Sequence, residues 1–104
     1  MINYSKSKIY AIRNMHDDSI IYVGGTLSNI KRRYWNHKCN KHDILYKLTK
    51  EQNIDWRYLK IDHIKDYTSC SDRHDLRSSA KVIEQYIQQG RYDLMQLYLD
   101  NLIL

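Results

Sequence analysis

The chain has 104 residues, 42% of them hydrophobic and 28% charged, with a formal net charge of +5; this is the make-up of one globular domain over 1–104 with enough apolar side chains for a single core. No run of about 18 apolar residues exists, and Met1 to Lys6 lacks the apolar stretch of a secretory leader, so an intracellular protein without a membrane partner is expected. Cys39 and Cys70, the two cysteines, are expected as free thiols in a reducing compartment.

Residues 8–13 and 20–24 are rich in isoleucine, valine and tyrosine and flank a polar reversal, Asn14-Met15-His16-Asp17-Asp18, which predicts a hairpin. Pairing Tyr10 opposite Tyr22 centres the turn on His16 and sets both phenols on one face. Gly24 and Gly25 then offer a sharp exit. Ser28 is read as the N-cap of a helix to about Lys38, with Ile30, Arg33, Tyr34 and His37 on one stripe and Lys31, Trp35 and Lys38 on another. An unengaged arginine turns to water, so an arginine sharing the stripe of Ile30 and Tyr34 points to a task. A second helix, capped by Asn40, carries Ile44, Leu45 and Leu48, and residues 56–67 alternate as a third strand. Ser71 or Asp72 opens a helix through about Gln89 whose apolar face is Leu76, Ala80, Ile83 and Ile87. Gly90 ends it, and Leu94, Leu97, Tyr98, Leu102 and Ile103 predict a final helix over about 91–104. The order, two strands, two helices, one strand and two helices, is that of a small α/β (α+β) domain.

The charge is concentrated. Lys31, Arg32, Arg33, Lys38, Lys41, Lys47 and Lys50 face a single acid, Asp43, between positions 31 and 50. Such a patch attracts polyanions, of which nucleic acid is the common one; a solvated, solubilising helix face is the alternative. Ten tyrosines and two tryptophans with no phenylalanine add amphipathic aromatics suited to a wet, adhesive surface.

Taken together, Lys8-Ile9-Tyr10, Tyr22-Val23-Gly24, Thr26, Arg33, His37 and the late helix resemble the GIY-YIG nuclease superfamily over residues 8–89. Lysine stands where that family usually has its first glycine, and valine replaces the isoleucine of the second tripeptide. Arg33 rather than Arg32 meets the family's four-residue spacing to the histidine, His37. The resemblance implies a three-stranded antiparallel sheet flanked by helices and a metal-dependent DNA endonuclease using Mg²⁺ or Mn²⁺.

In that scheme Tyr10 is the general base, its pKa lowered by a metal or cation from the usual value of about 10. Tyr22 orients Tyr10 and bonds the phosphate, Arg33 offers a fork of donors to two phosphate oxygens, and His37 shuttles a proton or binds the scissile phosphate. Lys31, Arg32, Trp35, Lys38 and Lys41 track and stack the DNA. The metal-binding glutamate of the family falls on Ala80; Glu84 lies one turn further on and about 40° around the helix. Three readings stay open: alanine replacing the glutamate of an active ancestor, Glu84 taking over by a shifted register, or an ordinary core alanine in a chain without catalysis. The even bracketing by Leu76, Ile83 and Ile87 favours the first. A structural zinc on His37, Cys39 and His42, with Cys70 and His74, fits no standard finger spacing. The expected function is therefore a DNA endonuclease, inactive if Ala80 has displaced the metal ligand, which cuts with low specificity, recognises a structure or a single strand, or gains specificity as a homodimer. A catalytically silent nucleic-acid-binding protein on the same fold is the alternative. A protein-interaction module built on the carboxyl-terminal helix is the third class.

Overall fold

Residues 7–14 carry Ile9, Tyr10, Ala11 and Ile12 in succession, and all four are buried. Consecutive burial in a strand requires cover on both faces, and that is the position of β1 (Ser7–Asn14) in a computed structural model of the chain, which describes residues 2–102. β1 is the central strand of a three-stranded antiparallel sheet, between β2 (Ile20–Thr26) and β3 (Leu59–Tyr67). Four α-helices complete an α+β domain among the described residues: α1 (Ile30–Cys39), α2 (Ile44–Glu51), α3 (Arg73–Gln88) and α4 (Tyr92–Asn101). None is long and apolar enough to cross a membrane.

The alternation of β1 divides the core in two. Ile9 and Ala11 join Val23, Leu76, Ala80, Ile83, Ile87 and Leu99 on the face covered by α3 and α4. Tyr10 and Ile12 join Leu45 of α2 and Leu59 on the other, where Tyr22 and, from α1, Ile30 and Tyr34 pack against them.

The hairpin register departs from the predicted one. Tyr10 pairs with Gly24, and Tyr22 pairs with Ile12. The pairing axis therefore falls on Asp17 rather than His16. A shift of Tyr10's partner by two residues keeps side chains on their original face, so the two tyrosines become diagonal neighbours instead of opposed ones. Gly24 explains the choice: a Cβ there would stand 2.6 Å from Tyr10 Oη and 2.7 Å from Tyr22 Cε1. Only glycine leaves room for both rings across the pairing. At the turn, Asp18 adopts a left-handed backbone (φ 59°) and Asn14 N–H donates to Ser19 O at 2.8 Å. A bulge between Ile12 and Arg13 absorbs the odd residue.

Gly24 and Gly25 lie inside β2, not at its exit, and neither has a positive φ. Gly25 is needed because a Cβ would collide with the Leu76 side chain of α3. Gly24→Ala is expected to force the two rings apart and to lower the melting temperature by roughly 5–15 °C, which a thermal melt followed by near-ultraviolet dichroism checks.

Capping residues differ from the predicted ones by small steps. Asn29, not Ser28, caps α1 by accepting from Lys31 N–H. Asp43, not Asn40, caps α2 by accepting from Leu45 N–H at 2.9 Å, while Asn40 closes the end of α1. Residues 56–58, expected as strand, form a 3₁₀ turn capped by Asp55. Asp72 caps α3 through Asp75 N–H, and Gly90, at φ 69°, ends it. The last expected positions of the final helix, residues 103 and 104, lie outside the described residues.

Candidate active site

Helical spacing places Arg33 and His37 one turn apart on α1, over the sheet face that carries Tyr10 and Tyr22. Tyr10 is 0% and His37 1% exposed. Tyr10 Oη lies 2.5 Å from His37 Nε2. On the other side of the imidazole, His37 Nδ1 lies 2.7 Å from Asp43 Oδ1. The second Asp43 oxygen faces Arg33 Nη2 at 3.8 Å. Tyr22 completes the group, its ring centroid 6.2 Å from that of Tyr10 and 5.3 Å, edge-on, from that of His37. Chemistry-bearing side chains expected from separate segments do converge.

The proton positions follow from the partners. A carboxylate only accepts, so Nδ1 of His37 carries the hydrogen and Nε2 presents its lone pair to the Tyr10 hydroxyl. Tyr10 therefore donates, and its oxygen keeps its lone pairs for a further donor. The result is a carboxylate–imidazole–phenol relay, buried and oriented at every link. Burial holds the His37 pKa below the ordinary 6.5, with Asp43 opposing that shift, so the imidazole is neutral at pH 7.

Tyr10 was expected to be acidified by a neighbouring cation. Arg33 does act in that direction, but burial and the adjacent Tyr22 phenol outweigh it, and the Tyr10 pKa lies well above 10. Burial raises Tyr22 as well, against the pull of Arg33. Neither phenol stands ionised at neutral pH. A neutral Tyr10 can take a proton only by passing its own to His37. What a ligand meets first is Tyr22, half-buried, and the Arg33 side chain, 32% exposed.

Asp43 is the residue that reading the sequence passed over. It was visible there as the sole acid in a basic stretch, but its spacing from His37 matches no helical period because the end of α1 and the turn before α2 intervene. Its one carboxylate caps α2, orients His37 and faces Arg33, so helix packing and site geometry share an anchor.

Lys31, Arg32, Trp35 and Lys38 occupy exposed positions of α1, Trp35 being 62% exposed, and Lys41 is exposed in the turn that follows. Ala80 does not accompany the tyrosines. It is 4% exposed in the apolar cluster on the opposite face of the sheet, with Ile9, Ala11 and Ile83. Glu84 reaches the sheet edge instead: its Oε2 accepts from Val23 N–H of β2 at 3.0 Å. Its charge is near enough to contribute to the raised pKa of Tyr22.

Among the described residues, no three His, Cys, Asp or Glu side chains gather as a preformed metal cage. His37 has both ring nitrogens engaged, which removes it from any set with Cys39 and His42. Both cysteines are free, Cys39 exposed and Cys70 buried. Comparison of the chain with family models, with curated proteins and with solved structures gives no match.

Proposed function

We propose that the chain is a GIY-YIG-type endonuclease that hydrolyses phosphodiester bonds in DNA with Mg²⁺ or Mn²⁺. The observation that carries this reading is a guanidinium and a phenol, Arg33 and Tyr22, at the mouth of a buried Tyr10–His37–Asp43 relay. Arg33 pairs with two oxygens of the scissile phosphate and offsets the charge that builds up on phosphorus. The attacking water is taken up at Tyr10, whose oxygen keeps lone pairs free, beside the Tyr22 ring. As the water oxygen bonds to phosphorus, its proton passes to Tyr10 Oη, and the Tyr10 proton passes to His37 Nε2. The imidazolium so formed is held by Asp43. The phosphorus–oxygen bond to the leaving group breaks, and the departing oxygen is protonated from solvent.

Glu84 would supply the carboxylate for a divalent cation, since one carboxylate with waters and phosphate oxygens suffices for Mg²⁺. A cation held there would polarise the phosphoryl oxygens and stabilise the leaving oxygen. Ala80, buried among apolar side chains, has the surroundings of an ordinary core residue. That context favours Glu84 over a carboxylate lost at position 80.

The second reading, a nucleic-acid-binding protein without catalysis, is favoured by one observation: the Tyr10 hydroxyl has no exposed surface. Incubation of the chain with supercoiled plasmid and with single-stranded DNA in Mg²⁺ or Mn²⁺ tests both. The nuclease reading expects nicking or cutting that falls roughly 100- to 1,000-fold in Arg33→Ala. Salt-dependent binding without any cut would establish the silent protein, and absence of both would end the two readings together.

A further inference from the structure

Two hollows adjoin on the surface of α2. The first, about 360 Å³, is lined by Lys41, Tyr46, Lys47 and Lys50 with one acid, Glu51. The second, about 240 Å³, shares Tyr46 and Lys50 and ends on Asn53 and Trp56. The two lie side by side, with Tyr46 and Lys50 as their common rim, and together form a trough in two parts. It starts at Lys41, two residues before the carboxylate that orients His37, and runs past Lys47 and Lys50 to an aromatic end.

We propose that this trough is a second nucleic-acid site, which holds an unpaired segment flanking the bond at the Tyr10–His37 centre. The inference rests on the proposed function, which supplies both DNA as the ligand and the bond at that centre. Three lysines along one trough supply point charges for successive phosphates. Two aromatic rings in the second hollow supply a stacking platform, and the Asn53 amide, exposed beside them, both donates to and accepts from a base edge. Trp56 is already held in place. Its ring meets Tyr34 edge-on at 5.7 Å, and the Tyr34 hydroxyl lies 3.2 Å from Trp56 O and 3.3 Å from Leu59 O, both acceptors. A platform fixed before binding loses little freedom on binding.

The occupant follows from this combination. A duplex keeps its bases stacked inside and would use the lysines alone. An acidic peptide would likewise leave the Tyr46 and Trp56 rings without a flat partner. A solubilising face would need no hollow at all. Only a strand with splayed bases uses both ends of the trough.

Trp35 and Trp56 are the two tryptophans, so Trp35→Phe makes Trp56 the sole indole reporter. This variant is titrated with a single-stranded thymidine oligonucleotide, a blunt mixed-sequence duplex and poly-glutamate. The single strand is expected to quench Trp56, and the duplex and peptide to leave it unchanged. Adding Lys47→Ala and Lys50→Ala is expected to weaken single-strand binding at least 10-fold. It should also flatten the dependence of log affinity on log salt by about 1.4, at about 0.7 per lost phosphate contact. Lys81→Ala, on exposed α3 surface, serves as a charge control and is expected to leave the slope intact. Strand binding with Trp56 unquenched, or with an unchanged slope in the double variant, overturns the trough while leaving the DNA reading in place. Equal quenching by duplex or poly-glutamate overturns the unpaired-strand assignment. Failure of every nucleic acid to bind at low salt removes the proposed function along with this site.

Discussion

Asp43→Asn is expected to fold and yet to lose cleavage by roughly 100- to 10,000-fold. Asparagine is as good an N-cap as aspartate, so the hydrogen bond to Leu45 N–H survives and α2 keeps its start. At the imidazole the outcome differs. The oxygen that caps α2 is also the one that bonds His37 Nδ1, so it goes on accepting from the imidazole, but the negative charge that holds the imidazolium is gone and the side-chain NH₂ is set against Arg33 Nη2. Loss of a fixed charge aimed at a charge that develops during the reaction costs orders of magnitude even though the geometry is kept. Single-turnover cleavage with a denaturation curve measured in parallel checks the claim, and an Asp43→Asn protein that cuts at the wild-type rate refutes it.

The same relay sets a pH dependence. In the proposed mechanism neutral His37 is the acceptor, and its pKa in the folded chain is lowered by burial from the ordinary 6.5. The acid limb of the cleavage profile should therefore lie below pH 6.5. Stability shares the sign. Because the unfolded imidazole binds a proton more readily than the folded one, the His37 contribution is fully present above 6.5. It diminishes as pH falls through the folded value. An acid limb above 6.5 would mean that the group titrating is not this histidine.

The second large effect concerns the two candidate metal positions. Ala80→Glu is expected to destabilise the fold by roughly 3–5 kcal/mol, because the carboxylate would enter an apolar cluster with no partner. No gain of cleavage should accompany it. Ala80 is surrounded by Ile9, Ala11 and Ile83 on the face of the sheet remote from Tyr10. Glu84→Gln, by contrast, retains an oxygen to accept from Val23 N–H and should fold normally. Its cleavage should require much higher Mg²⁺ or vanish. Chemical denaturation and a metal titration of cleavage separate the two variants. An Ala80→Glu protein that is stable and more active would transfer the metal role to position 80.

Much of this site is legible in residue order because its parts are local. The hairpin brings Tyr10 and Tyr22 together through a short turn, and one helical turn brings Arg33 to His37. Parity protects the first inference: the register moved by two residues, from Tyr22 to Gly24 opposite Tyr10, and an even shift leaves both rings on one face. The reason for that shift was not legible. It depends on the space two rings need across the pairing, which a glycine supplies. Periodicity likewise placed Ala80 on the apolar face of its helix but could not say which side of the sheet that face would cover.

Local order thus determined the strands, the helices and the two motif pairs, since hydrogen-bond patterns and side-chain periods act over a few residues. Tertiary packing decided the protonation chemistry. Desolvation by neighbours distant in sequence keeps the phenols un-ionised and His37 neutral. The joining of α1 to α2 turns a helix cap into the partner of an imidazole, and the stacking of α3 on the sheet carries Glu84 to the edge beside Val23 and buries Ala80. Those outcomes depend on which surfaces meet, a property of the assembled layers rather than of any one segment.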